Sequence, residues 1–224
     1  MRPLVIVRPE PGASATAEAA RQLGLRPLVM PLFAIRPLDW EAPDPSRFDA
    51  LLLTSANAVR NGAAGLDRLR TLPAYCVGEA TARAARDFGL EVAGIGSGRV
   101  DSLLDSLPGE LRLLHLCGFH RREPKTARQS IEVLPVYSAE AVAAPGALGQ
   151  IEDCVVAVHS PRAAARVSEL VDAQGLRRGR ITLAAISAEA AEAAGNGWQK
   201  VECAAEPSDS ALLAIAAELC KNPR

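Results

Sequence analysis

The sequence predicts an α/β protein of two domains, each built on a parallel sheet, and three observations carry that prediction. An apolar run repeatedly ends in a small polar turn and passes straight into an Ala-rich segment. Leu51-Leu52-Leu53-Thr54-Ser55-Ala56-Asn57-Ala58-Val59 is one copy, and Val155-Val156-Ala157-Val158-His159-Ser160-Pro161-Arg162-Ala163-Ala164 is another. Tyr75 to Ala82 and Ala184 to Ala191 repeat the pattern. Strands alternating with helical stretches of about 10–15 residues indicate parallel sheets with right-handed crossovers. The copies also recur at similar separations: Ser55 stands from Ser160 about as far as Gly78 does from Ser187. Two similar domains suit that spacing better than one large sheet.

Taken in order, Leu4-Val5-Ile6-Val7 reads as a buried strand. Pro9 to Gly12 form a turn, and Ser14 or Thr16 caps a helix running to about Leu23, which Gly24 ends. Leu28-Val29-Met30 begins the next strand, and Pro31 to Trp40 is extended, because Pro31 and Pro37 exclude a helix. Residues 41–47 are a Pro/Asp-rich linker. The middle block predicts strands at 50–54, 74–77, 92–95 and 112–116, with helices at 56–65, 79–88, 100–107 and 121–129. Ile131 to Ser138 is extended again. Strands at 154–159, 182–186 and 199–204 alternate with helices at 161–173, 188–195 and 208–221. Pairing of the runs near 32–39 and 131–140 would make a two-stranded ladder. The domains would then be 1–33 plus 142–224 and 46–129, with 34–45 and 130–141 as connecting ladder and linker.

Composition narrows the function. Lys and Arg number 25 against 26 Asp and Glu, so an anionic ligand must be held by local groups rather than by the field of the whole chain. No basic, aromatic-interleaved patch points to nucleic acid. No apolar run reaches the roughly 18 residues of a membrane helix. The N-terminus enters a strand at once, without a signal peptide. Five scattered cysteines without a CxxC pair read as reduced thiols, and these features together predict a cytoplasmic location. Each strand-end turn aims unpaired N–H groups and a partial positive charge outward. Several of them around one cleft suit a substrate with many carboxylates and no metal.

With those elements placed, the chain resembles the uroporphyrinogen-III synthase family. The markers are Val7-Arg8-Pro9 with Pro11-Gly12; Gly24 before Pro27-Leu28 and Pro31-Leu32; Leu53 to Val59; Val77-Gly78-Glu79-Ala80-Thr81-Ala82; Val136-Tyr137; Ser160-Pro161-Arg162-Ala163; Ala185-Ile186-Ser187; and Ala204-Ala205-Glu206-Pro207. Each marker alone is generic turn chemistry, and their order and spacing carry the resemblance. It implies two flavodoxin-like α/β domains joined by a two-stranded ladder, with the active site in the cleft between them. It implies a linear hydroxymethylbilane substrate bearing eight carboxylates, and no cofactor or metal. The reaction it implies closes the macrocycle with loss of water and inversion of ring D, through azafulvene and spiro intermediates. The expected state is a monomer that touches the preceding pathway enzyme transiently. A non-catalytic module binding a small anion, or acting as a regulator, is the competing reading of the same scaffold.

The resemblance assigns Tyr137 as general acid. A phenol with an ordinary pKa near 10 stays protonated at neutral pH and adds no anion beside a developing cation. It assigns substrate contacts to Arg8, Ser55, Ala56, Asn57, Thr81, Ser160, Pro161, Arg162 and Ser187, several through backbone N–H groups. Helix N-capping is the structural counterpart of the Ser, Thr and Asn roles. Glu189 and Ala190 stand where the family often has a Thr pair, and a carboxylate there repels an anionic substrate unless it points away. Gly94 to Gly98 lacks a full phosphate-loop fingerprint. His115, Cys117 and His120 lack a fourth zinc ligand at standard spacing. His159 and Ser160 are strand neighbours pointing to opposite faces, so they are not a nucleophile pair.

Overall fold

The computed structural model describes residues 1–121, 123–125 and 127–221, the side chains at positions 63 and 64 excepted. In chain order the elements are β1 (Leu4–Ile6), α1 (Gly12–Gln22), β2 (Pro27–Val29) and β3 (Phe33–Pro37). Next come β4 (Ala50–Leu53), α2 (Ala56–Asn61), α3 (Ala63–Leu66), β5 (Ala74–Cys76), α4 (Glu79–Phe88), β6 (Val92–Ile95), α5 (Val100–Asp105), β7 (Arg112–Gly118) and β8 (Ser130–Ala141). The chain closes with β9 (Val155–Val158), α6 (Pro161–Ala173), β10 (Thr182–Ala185), α7 (Ala188–Ala194), β11 (Lys200–Cys203) and α8 (Asp209–Lys221). Two compact units result, Met1–Ala34 with Glu140–Arg224, and Ile35–Ala139. The chain passes from one unit to the other within β3 and again within β8.

The first unit holds a parallel sheet in the order β11-β10-β9-β1-β2. Its inner strands β1, β9 and β10 are buried at every residue, as a sheet covered on both faces requires, whereas β2 and β11 at the edges are partly exposed. Leu4, Ile6, Val155, Ala157 and Ala184 pack against Ala13, Ala17 and Ala20 of α1 and Leu212, Leu213 and Ala216 of α8. Small alanines on α1 let that helix lie close to the strands. Gly24 supplies the positive φ of 74° that ends α1 and turns the chain into β2.

The second unit holds a sheet in the order β3-β8-β7-β4-β5-β6. From β8 to β6 it is parallel. The bonds from Leu38 N–H to Val136 C=O and from Val142 N–H to Leu32 C=O set β3 antiparallel to β8. Alternation along the strands divides the core in two. Leu51, Leu53, Leu114 and Leu116 face α2 and α4, while Ala50, Leu52 and Leu113 face Leu103 and Leu104 of α5. Each buried leucine contributes about 1.5–3 kcal/mol.

Two expectations fail locally. Ser14 and Thr16 do not cap α1, which begins at Gly12 without a side-chain cap. Ser14 bonds Glu10, and Thr16 is a buried residue within the helix. The helix expected at 121–129 is absent among the described residues of that segment, positions 122 and 126 lying outside them. Pro124 pushes the residue before it towards extended backbone. Tertiary bonds then replace helical ones: Asp101 accepts from Lys125 N–H, and Gln129 donates to the carbonyls of Leu104, Leu107 and Pro108 at the end of α5. No helix among the described residues is long and apolar enough to cross a membrane.

Candidate active site

In an open parallel sheet the chain leaves one strand towards one side and returns later on the other, so the loops above that pair diverge and open a crevice at the strands' carboxyl ends. In the second unit that pair is β4 and β7. From β4 the chain proceeds to β5 and β6, and β7 is then added on the opposite side. The turn after β4 is Thr54-Ser55, and β7 ends at Gly118, beside Tyr137 of β8.

A bulge delivers Tyr137 to this point. Cys117 pairs with Pro135, but Gly118 pairs with Tyr137, so Val136 is the extra residue. Pro135 has no N–H to give to a ladder, and an irregular register is where such a residue belongs. The shift lays the phenol over Gly118: a Cβ there would stand 2.8 Å from Cζ and 3.0 Å from the hydroxyl oxygen. Ser55 completes the seat. Its Oγ accepts the Asn57 N–H at 3.2 Å as the N-cap of α2, and its side chain acts on the Tyr137 phenol to favour the ionised form. Phe119 N–H ties the Tyr137 carbonyl at 2.8 Å. Burial raises the phenol above its ordinary pKa, against the opposing pull of the Ser55 side chain, so the group stays protonated at neutral pH.

The same turn has a second anchor. His115, 1% exposed on β7, bonds Thr54 Oγ1 through Nε2 at 2.9 Å, and its Nδ1 is buried without a partner. Burial, reinforced by the nearby Arg121 cation, lowers this imidazole to a pKa of about 4. A neutral His115 thus holds Thr54, next to Ser55.

In the first unit the corresponding pair is β1 and β9. Arg8 follows β1, and His159-Ser160 follows β9. Ser160 caps α6 by accepting Ala163 N–H at 3.1 Å, and Pro161 fills the first helical position. Arg162 stacks its guanidinium over the Phe33 ring at 4.7 Å, and burial lowers its pKa. At the end of β10, Ser187 caps α7 by accepting Ala190 N–H at 3.3 Å. That bond occupies the Ala190 N–H while the Ala190 methyl is buried; Glu189 is exposed. Thr81 lies buried in the first turn of α4, behind the Gly78 cap.

Ser55 and Tyr137 are therefore brought together, with Ala56 and Asn57 opening the helix that Ser55 caps. Arg8 and Ser160 rise from neighbouring strands of the other sheet. Sequence reasoning gave no site role to Thr54, His115, Gly118, Thr16, His159 and Asp209. A histidine inside an otherwise apolar strand was the available signal, because a buried polar group needs a partner.

The arrangement defines a class: an α/β protein of two units whose donor-rich turns lie at the carboxyl ends of parallel strands, with a protonated phenol seated at one of them. A family model described as uroporphyrinogen-III synthase HemD matches residues 14–214, and the chain belongs to that family. The family comprises cyclising, lyase-type enzymes of haem biosynthesis that act on a small-molecule tetrapyrrole. The fold is similar to that of uroporphyrinogen-III synthetase from Helicobacter pylori, at 20% identity and a TM-score of 0.63, covering 98% of this chain and 100% of that one. It is also similar to a mutant uroporphyrinogen III synthase from Thermus thermophilus, at 21% identity and a TM-score of 0.55, covering 98% and 100%. No curated protein sequence matches the chain.

Two outcomes follow from the seat. In the unfolded chain His115 takes a proton near pH 6.5, but in the folded protein only near 4. Between those values the unfolded state binds the extra proton, so stability falls as pH drops through the window. The stability advantage of wild type over His115→Gln should shrink by about 3 kcal/mol from pH 7 to pH 4, measured by urea unfolding at each pH. Gly118→Ala should push the phenol out of its seat towards water. Spectrophotometric titration at alkaline pH should then show one of the two tyrosines moving down towards its ordinary value.

Proposed function

We propose that this chain converts hydroxymethylbilane to uroporphyrinogen III by cyclisation with inversion of ring D, and that Tyr137 is its general acid. The observation that carries the Tyr137 assignment is the phenol seated over Gly118 beside the Ser55 turn and kept protonated by burial. The ring A nitrogen of the substrate expels the hydroxyl, and the Tyr137 phenol donates a proton as it leaves as water. The substituted carbon of ring D attacks the azafulvene cation to form the spiro intermediate. That intermediate fragments and recloses at the neighbouring ring D position. The proton lost as ring D regains aromaticity returns to the phenolate, so the net change is loss of one water. General-acid assistance of this kind is worth roughly 10²–10⁴-fold.

Positioning carries the remainder, because the ends of a flexible chain must meet. The proposed donors to the carboxylates are the turns at Ser55-Ala56-Asn57, Thr81, Ser160-Pro161-Arg162 and Ser187, together with Arg8. Their placement after β4, β5, β9, β10 and β1 at the carboxyl ends of parallel strands supports that role. Each charge-assisted bond contributes about 1.5–3 kcal/mol. Glu189 and Ala190 are the poorest donors of the set, one a carboxylate and the other with its N–H bonded to Ser187. The ladder of β3 and β8 is proposed as the connection between two domains, since both crossings of the chain fall within it. A cytoplasmic monomer is the proposed working state, and all five cysteines are free. Because hydroxymethylbilane closes spontaneously to the wrong isomer, a transient handover from the preceding enzyme would protect it.

The decisive experiment supplies enzymatically made hydroxymethylbilane, oxidises the products and separates the porphyrin isomers. Type III should dominate; type I alone would overturn the reading. Tyr137→Phe should lower turnover at least tenfold with an unchanged circular dichroism spectrum, and wild-type turnover in that variant would end the general-acid assignment.

A further inference from the structure

We propose that Asp209 is a positioning residue for substrate binding: backed by Thr16 and His159, it fixes the Arg8 guanidinium at the junction of β1 and β9, where Arg8 receives a substrate carboxylate. The inference rests on the function proposed above and extends it to three residues given no role there. Asp209 is the first residue of α8, where the helix dipole favours a carboxylate. Its Oδ1 accepts the Nε2–H of His159 at 2.8 Å and an Nη1–H of Arg8 at 3.3 Å, and its Oδ2 accepts the Thr16 hydroxyl at 2.8 Å. Arg8 Nη1 also reaches Thr16 Oγ1 at 3.2 Å. Gly12 gives the guanidinium its slot, since a Cβ there would stand 2.6 Å from Nε and 2.8 Å from Nη2.

The geometry distinguishes this cluster from a structural ion pair. Arg112 with Asp49 and Arg178 with Asp172 are fork pairs, two nitrogens to two oxygens, with contacts of 2.8 and 3.2 Å in the first and 2.8 and 2.6 Å in the second. Arg8 instead gives one nitrogen to Asp209, and the contact is long. Its Nε and Nη2 have no hydrogen-bond partner among the described residues, and its side chain is 34% exposed. The Asp209 carboxylate already has close donors in His159 and Thr16, so it orients Arg8 without using up its donors. Burial raises the carboxyl, but the His159 and Thr16 bonds and the Arg8 charge outweigh it and keep Asp209 ionised. His159 is itself lowered by burial, so it acts as a neutral donor. Its Nδ1 is buried without a hydrogen-bond partner. An arginine restrained in this way, with two nitrogens free, is preorganised to meet a carboxylate bidentately.

The test is a double-mutant cycle with hydroxymethylbilane. Asp209→Asn should raise KM about tenfold and leave kcat within about twofold, as loss of ground-state binding predicts. Arg8→Gln should do the same, and the double variant should be no worse than Arg8→Gln alone, because Asp209 acts through Arg8. An unchanged KM for Asp209→Asn, or losses that add in the double variant, would overturn the proposal. A second readout needs no turnover: the 15N–1H resonance of Arg8 Nε should be resolved in the substrate-free protein and collapse towards the free-arginine position in Asp209→Asn. A wild-type protein yielding only type I porphyrin would sink the synthase reading, while this resonance would still decide whether Asp209 holds Arg8. His159→Gln, with the same expected KM and resonance changes, replaces Asp209→Asn should that variant not fold.

Discussion

The close approach of the Tyr137 ring to the bare α-carbon of Gly118, beside Ser55, is the contact on which the candidate site depends. It joins three strands in a definite order. β4 supplies the turn, β7 supplies the missing side chain, and β8 supplies the phenol through one extra residue at Val136. None of these features is useful without the others. A side chain at position 118 would meet the ring, and a regular β8 would bring Val136 opposite Gly118 in place of the tyrosine. Ser55 thus caps α2 by accepting from Asn57 and also bears on the phenol.

Much of this was legible in the sequence. Serines placed immediately before Ala-rich periodic runs announce helix starts, and Ser55, Ser160 and Ser187 are all N-caps. Continuous apolar tetrads such as Val155–Val158 announce strands buried on both faces. The extended character of β8 followed from its composition. What escaped is what only three dimensions bring together. The partner of His115 lies in the turn after another strand, and Asp209 meets Arg8 and Thr16 across most of the length of the chain and His159 from 50 positions away. Pro135 hinted at an irregular register without saying which residue would be extra. The segment around 121–129 was misread because its charged and helix-favouring residues outvoted a proline whose effect on the preceding backbone is strictly local.

The two sheets solve similar problems with different chemistry. Each places a buried histidine near the carboxyl end of an inner strand, and burial keeps both imidazoles neutral. His115 spends its bond on a neutral hydroxyl and stiffens a turn. His159 spends its bond on a carboxylate that in turn orients a cation. One unit thus carries a protonated phenol at its strand ends, and the other a guanidinium at its own.

The crossing of the chain within β3 and β8 bears on how the protein is assembled. The first unit is discontinuous, so β1 cannot pair with β9 until a stretch of ~150 residues has been looped out, at an entropic cost of about 4 kcal/mol for a flexible chain. The second unit is continuous, and antiparallel pairing of β3 with β8 brings its own two ends side by side. Once that insert has folded, the span between the two halves of the first unit is no longer a floppy loop but a short, closed bridge. Synthesis from the N-terminus favours the same order, because the whole insert emerges before β9 does. An inserted domain that gathers its own termini acts as an internal template for its host.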